Sequence, residues 1–335
     1  MLVIENLIKN KFKYDYTTNK QKNLCIGYGI DNNFARCTGT SIMSFCCNNM
    51  NVNFTFYIVT YDLSVKNRDK FKLLAKKLNI CIYLYYLDIN YFYSLKLPTE
   101  FQWTIATYFR FILPLIIKDN NRFLYVDSDI LCLKNISELF NINLNNNIIA
   151  AVPDLKWQDE NRSKALKLLN HRYFNAGVLM IDIEKWNKYN IFSKLIKCIE
   201  ENPQKLKYLD QDALNIILNQ KVFYLDYKFN WCNTWGIISL KNIVLYHLNA
   251  TPKPWHLSWG ISEITNNINK NIYKFYESKT PWYNEKLVLP RNYKEMKYYA
   301  RCLKNNKKYL LSIQWYIKYA ITKIKFKLKS KKYNL

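Results

Sequence analysis

The sequence predicts an α/β protein: a mainly parallel mixed sheet flanked by helices, with a basic helical extension at its C-terminus. Three observations lead there. Short aliphatic and aromatic runs alternate with amphipathic stretches along most of the chain, the pattern of strands covered on both faces by helices. Half of the 335 residues are hydrophobic, with only 6 Gly and 8 Pro, so a sizeable core is available and a fibrous or disordered chain is excluded. The formal charge of +25 is uneven: residues 291–335 hold 14 Lys or Arg against the single acid Glu295, or +13 of the total.

Taken in order, Met1 to Lys22 is a polar extension without the apolar core of a signal peptide. Leu24 to Tyr28 reads as a strand, followed by the loop Gly29-Ile30-Asp31-Asn32-Asn33 and a helix from Phe34 to Cys47. Asn53 to Thr60 alternates aromatic and β-branched residues, a second strand. Val65 to Leu78 is amphipathic, with Phe71, Leu74 and Leu78 inward and four lysines outward. Ile80 to Leu87 is a third strand. Thr104 to Ile117 reads as one apolar helix around Arg110, with Pro114 near its last turn. Phe123 to Val126, Asn147 to Val152 and Phe174 to Ile183 are further strands. Glu184 to Glu200 and Asp210 to Asn219 are helices, the second with Asp210 as its cap. Val222 to Leu225 and Ile243 to His247 are late strands. The main domain therefore spans 23–256, with 257–290 as a connecting, acceptor-side segment. In the tail 291–335, aromatics interleave with lysines, and Gln314 to Leu328 can form a basic amphipathic helix suited to an anionic membrane surface.

Nine cysteines lie mostly in apolar runs without a CxxC pair and read as reduced thiols of the cytoplasm. No run reaches the length of a membrane span.

The chemistry centres on Asp127-Ser128-Asp129, just past the strand Phe123 to Val126. Two crowded carboxylates at the carboxyl end of a strand call for a cation, and a divalent ion carrying a diphosphate is the simplest one. His247 ends another apolar strand and adds a nitrogen ligand that would favour Mn(2+), with Mg(2+) as the alternative. Lys253, between Pro252 and Pro254, can reach a phosphate oxygen. Arg110, inside an apolar stretch, requires an anionic partner: Asp127 or a ligand. Asn175-Ala176-Gly177 places an amide and two small residues ahead of a strand, where backbone can approach a ligand. Asp210, Gln211 and Asp212 open a helix, where the first turn can project into a cleft.

Six segments in this order resemble the family 8 glycosyltransferases: Tyr28 to Phe34, Tyr108-Phe109-Arg110, Leu124 to Asp129, Phe174 to Leu179, Leu209 to Asn215, and His247 to Trp255. The opening Tyr28-Gly29-Ile30-Asp31 looks most like the bacterial lipopolysaccharide core glucosyl- and galactosyltransferases. The resemblance covers roughly residues 24–256 and implies a GT-A type nucleotide-sugar-binding fold. It also implies hexose transfer, with retention, from UDP-glucose or UDP-galactose to a lipid-linked oligosaccharide at the inner face of the cytoplasmic membrane. Tyr28, Gly29, Ile30, Asp31, Asn32 and Asn33 would hold the uridine. Asp127, Asp129 and His247 would bind the metal, and Ser128 would lie against the nucleotide. Leu248, Asn249, Ala250 and Lys253 would contact the diphosphate, and Arg110, Asn175, Asp210 and Gln211 would surround the donor sugar. Two features depart from the pattern: the first loop carries Asp31-Asn32-Asn33 where paired acids are common, and Ala250 stands where a glycine is expected.

The charge also suits a nucleic-acid binder, but no helix-turn-helix, RNP or zinc-finger pattern occurs and Arg is scarce, so no nucleic acid is expected. A noncatalytic sugar-binding relative is the other alternative; retention of all three metal-ligand candidates speaks against it.

Overall fold

Successive residues of a strand face opposite sides of its sheet, and here both sides are apolar. Ile26, Phe56, Ile58, Leu124 and Val126 point into one core, while Cys25, Tyr57, Val59, Phe123 and Tyr125 point into a second. The computed structural model describes residues 4–18, 23–95, 97–99, 104–235 and 240–333, the last five of these by backbone alone. The other residues of the N-terminal extension and of the tail lie outside the described residues.

The strands are β1 (Ile8–Asp15), β2 (Leu24–Gly29), β3 (Phe54–Thr60), β4 (Cys81–Leu87), β5 (Arg122–Val126), β6 (Ile130–Cys132), β7 (Ile149–Pro153), β8 (Phe174–Asp182), β9 (Val222–Tyr224), β10 (Trp231–Cys232) and β11 (Leu245–His247). Eight form one sheet in the order β1-β4-β3-β2-β5-β8-β7-β9, and three form a small sheet, β10-β11-β6. The run β4-β3-β2-β5 is parallel, as is the β7/β9 pair; β1 on β4, and β8 on both β5 and β7, are antiparallel. The predicted mixed α/β sheet flanked by helices is therefore what the chain forms.

Direction matters for function. The parallel strands β2 and β5 end at one edge. Because β8 runs the other way, with Val178 opposite Val126, its first residues Asn175 to Gly177 arrive at that same edge. In the small sheet His247 pairs with Ile130, which sets it beside Asp129.

Several local expectations need correction. Thr104 to Ile117 is not one α-helix: a 3-10 segment, Ile105–Phe111, precedes the short helix Leu113–Ile116. Pro114 has no N–H to give to the Arg110 carbonyl, so an α ladder cannot run through this point. The stretch Glu184 to Glu200 divides into Ile183–Lys188 and Ile191–Glu201 at Asn190, whose φ of 50° is left-handed. Asp210 is not a cap but lies within Leu209–Ile217, whose N-cap is Tyr208. The strand expected from Ile243 is β11, beginning at Leu245. The polar start contributes β1, an edge strand with Lys9, Lys11 and Lys13 exposed; such lysines suppress further edge pairing.

The C-terminal extension is two helices, Tyr293–Asn305 and Tyr309–Tyr333. They pack through Tyr299 on Trp315 (ring centroids 5.1 Å apart) and Tyr293 on Phe326 (5.3 Å). The first also meets the body, where Tyr298 Oη and Ser262 Oγ share a 2.5 Å hydrogen bond. Among the described residues, no helix is long and apolar enough to cross a membrane. All nine cysteines are free, seven of them buried.

Candidate active site

A cleft of about 420 Å³ opens at the edge where β2 and β5 end and β8 begins. Most of the predicted site residues line it: Gly29, Ile30, Asp31, Arg110, Asp127, Ser128, Asp129, Asn175, Gln211, His247, Asn249 and Lys253. Five do not. Tyr28 is fully buried in β2, its hydroxyl 3.0 Å from Ser41 Oγ. Asn32 turns away to the Ser64 N–H and the Asn67 amide, and Asn33 is absent from the lining. Leu248 is buried, with its carbonyl accepting from Lys253 Nζ at 2.9 Å, and the Ala250 N–H donates to Asn233 Oδ1. Asp210 lies behind the wall, buried against Arg110 and Thr107.

At the centre of the cleft, ligand atoms of Asp127, Asp129 and His247 lie within 4.8 Å of one another. His247 Nε2 is 3.3 Å from Asp129 Oδ1 and 3.8 Å from Asp127 Oδ2. The opposite ring nitrogen, Nδ1, faces Asn230 Oδ1 at 3.0 Å. The Asn230 amide is fixed in turn, because its Nδ2 donates to Asn175 Oδ1 at 2.8 Å. This network assigns the imidazole proton to Nδ1 and leaves the Nε2 lone pair facing two carboxylates. Three electron-pair donors converging in this way repel one another unless a cation lies between them, so the residues present fit a divalent metal. Gly177 is what makes room: a Cβ there would lie 2.5 Å from His247 Cε1.

Positive side chains hold the carboxylates apart. Lys253 Nζ reaches Asp129 Oδ2 at 2.5 Å. Burial alone would raise the Asp129 pKa, but the Lys253 ammonium outweighs it and holds the carboxyl well below its ordinary value. Arg110 donates through Nη2 to Asp127 Oδ1 at 2.9 Å and through Nη1 to the Ala176 carbonyl at 2.7 Å, and it stacks 4.5 Å from the Tyr125 ring. Its Nε–H donates to the Thr107 carbonyl at 3.0 Å. Asp210 Oδ2 is also 3.0 Å from that Nε but accepts no hydrogen bond. Burial therefore dominates, despite Arg110 and Thr107, and raises Asp210 to about 6.

Gln211 is locked. Its Oε1 accepts from the Ala176 N–H at 2.9 Å, and its Nε2 donates to Asp154 Oδ2 and Tyr173 Oη at 3.1 and 3.0 Å. Leu209, just before this pair, has a φ of 43°, a conformation costly for a branched residue and typical of functional loops. Near the other end of the cleft, Asp31 turns inward, taking the Asn33 N–H and the Thr104 hydroxyl, and burial raises its pKa.

Sequence reasoning missed Asp154, Thr104, Thr107, Trp157, Asn230 and Trp235. Asp154 directly follows the apolar strand β7, so the rule that found Asp127 would have found it as well. The others carry no local signal.

Residues 25–259 match glycosyl transferase family 8, and residues 270–323 match the glycosyl transferase family 8 C-terminal region. The chain is 32% identical over 332 residues to the lipopolysaccharide 1,3-galactosyltransferase of Salmonella typhimurium, covering 94% of this chain and 96% of the relative. It is 29% identical to the lipopolysaccharide glucosyltransferase WaaO of Escherichia coli K12, covering 93% and 95%. Among solved structures, the galactosyltransferase LgtC, crystallised with donor and acceptor sugar analogs, superposes with a TM-score of 0.67 at 22% identity, over 77% of this chain and 96% of that one. The fold is of the GT-A type, and the chain belongs to glycosyltransferase family 8.

Proposed function

We propose that this glycosyltransferase moves glucose or galactose from a UDP-sugar to a lipopolysaccharide or lipooligosaccharide core acceptor, with retention and with Mn(2+) or Mg(2+). The observation that carries the reading is the convergence of Asp127, Asp129 and His247 in a cleft beside Lys253 and Arg110. The galactosyl and glucosyl relatives support hexose as the group and lipopolysaccharide as the acceptor.

The reaction breaks the bond between the anomeric carbon and the phosphate oxygen, and its electron pair leaves with UDP. The acceptor hydroxyl oxygen bonds to the same carbon and gives its proton to the departing phosphate oxygen. Asp127, Asp129 and His247 would hold the metal, which supplies charge neutralisation at the departing diphosphate. Lys253 turns from Asp129 to a phosphate oxygen and adds a second positive charge there. Arg110, Asn175 and Gln211 line the sugar end, where the fixed Gln211 carboxamide orients the ring. Asp210 acts through Arg110 and does not touch the sugar. Gly29, Ile30, Asp31 and Phe34, with Thr104, form the wall for the base. The exposed apolar face of the last helix, described below, would hold the enzyme at the anionic membrane leaflet that carries the acceptor.

The test is release of UDP from UDP-glucose and UDP-galactose, with and without Mn(2+). Metal-dependent turnover of one donor, lost in Asp129→Ala, is expected. No turnover of either donor under any metal condition would leave the noncatalytic sugar-binding reading.

A further inference from the structure

The two C-terminal helices enclose a second cavity, a groove of about 390 Å³ remote in sequence from the cleft. Four cations line it, Lys294, Lys297, Arg301 and Lys323, together with four tyrosines and, among the described residues, no carboxylate. Two acids near the hairpin are engaged elsewhere. Glu295 takes the Arg291 N–H and the Asn292 amide, and Glu263 takes the Asn305 amide. The cations rest on rings: Lys297 Nζ lies 5.8 Å from the Tyr319 centroid, and Arg301 Cζ lies 5.1 Å from that of Tyr298. Lys323 Nζ donates to Tyr319 Oη at 3.1 Å. That bond, with the neighbouring lysines, holds the Tyr319 hydroxyl below its ordinary pKa.

The like charges of Lys297, Arg301 and Lys323 around one concavity repel, and the tyrosine faces offset this only in part. An anion with several oxygens would relieve it, taking a forked contact from Arg301 and point charges from the lysines. The same helix indicates what the anion is attached to. Leu310, Ile313, Ile317, Ile321, Ile324 and Leu328 are all exposed, and their spacing of three or four residues aligns them in one stripe. Ile317 and Ile324 directly follow the groove residues Tyr316 and Lys323, so the stripe borders the groove about 100° round the helix. An amphiphile with its phosphate in the groove would lay its chains beside the stripe.

From this juxtaposition we infer that the groove between helices Tyr293–Asn305 and Tyr309–Tyr333 is a discrete binding site for the phosphate headgroup of a lipid. The site is separate from the catalytic cleft and goes beyond general attraction to a charged surface. Generic attraction depends only on the number of basic residues, whereas a site depends on which ones are removed.

The experiment compares the full chain with two charge-matched double variants. Lys297→Ala/Arg301→Ala empties one wall of the groove; Lys318→Ala/Lys325→Ala removes two charges from the same hairpin outside it. Binding is measured to phosphatidylcholine vesicles containing phosphatidic acid, and in solution to dioctanoyl phosphatidic acid, dioctanoyl phosphatidylcholine and inorganic phosphate. The groove variant should lose at least about tenfold more affinity for phosphatidic acid than the control variant, and it should lose the preference for soluble phosphatidic acid over phosphatidylcholine. Equal losses in both variants, or no such preference in the unmodified chain, overturn the site. Inorganic phosphate binding as tightly as the soluble lipid overturns the lipid assignment and makes the ligand a free phosphate. Unchanged melting and unchanged metal-dependent UDP binding in both variants show that the fold and the catalytic cleft are intact, so this result stands apart from the glycosyl-transfer reading.

Discussion

Arg110 Nε stands 3.0 Å from Asp210 Oδ2 without a hydrogen bond between them, because its proton goes to the Thr107 carbonyl. Asp210 is thus a buried carboxyl near a cation that does not fully compensate it. In the metal-free folded chain it keeps its proton up to about pH 6, against an ordinary value of 3.8. The folded state therefore binds more protons than the unfolded state between these values, and stability falls as pH rises from about 4 to about 6. Above that window the cost of ionising Asp210 is about 3 kcal/mol. Asp210→Asn mimics the neutral form. It should gain up to about that much stability at pH 7 and nothing below pH 4, read by denaturant unfolding across the window. Turnover should fall roughly 10–100-fold, as for loss of a group that orients a contacting residue. A variant less stable than the parent at pH 7 would mean that Asp210 is held ionised by Arg110.

Metal binding is the second prediction. Loss of a residue that orients a metal ligand costs about 10–100-fold in affinity, and loss of a ligand costs more. Asp129→Ala and His247→Ala should each weaken Mn(2+) binding in the presence of UDP by more than about 100-fold. Asn230→Ala, which frees His247 Nδ1, should weaken it about 10–100-fold. Titration calorimetry checks all three, and a chelator should abolish turnover in the parent. If Asn230→Ala binds the metal normally, the imidazole is oriented by the ligand set alone.

Gly177 offers a third test, independent of charge. A methyl group there would meet His247 Cε1 at 2.5 Å and Nδ1 at 2.8 Å. The imidazole is buried and cannot swing into solvent, so Gly177→Ala must displace either the ring or β8. Overpacking of this kind costs about 1–3 kcal/mol in stability. Metal affinity should fall along with it, while β8 and the sheet persist by circular dichroism. A variant that loses stability but binds metal as before would show that the strand, not His247, gives way.

The parts of the site that were legible in the sequence are those that end strands. Asp127, Asp129 and His247 stand out because ionisable residues directly after apolar runs need a reason to be there. Strand direction was not legible. β8 is apolar on both faces, and such a pattern reads the same whichever way the strand runs, yet its reversal is what brings Asn175 and Gly177 to Asp127. Asn230 was invisible because its importance lies in contacts with Asn175 and His247, 55 and 17 residues away. β1 was hidden by its lysines, since only alternate positions of that edge strand touch the core. Thr104 to Ile117 misled because its hydrophobicity suits a helix while Pro114 forbids a continuous one.

The apolar stripe carries the last prediction. From Leu310 to Leu328 it spans 19 residues, about 27 Å of helix, with Leu310 81% exposed and Ile324 59% exposed. A continuous exposed face of this length marks an interaction surface. Lys318 and Lys325 lie along one side of it and Lys327 along the other, as in helices that rest in the interface of an anionic bilayer. Exchanging Ile317, Ile321 and Ile324 for glutamine keeps helix propensity nearly constant and removes about half the stripe. At about 1 kcal/mol per isoleucine partly buried in lipid, the triple variant should bind anionic vesicles roughly 100-fold more weakly. Cosedimentation measures this, with metal-dependent UDP binding as the check on the fold. Helix Tyr293–Asn305 meets the body through Tyr298 and Asn305, so substitution tests the surface more cleanly than cutting the chain after Pro290. Retained vesicle binding together with loss of self-association in ultracentrifugation would identify the stripe as a contact between copies of the chain instead.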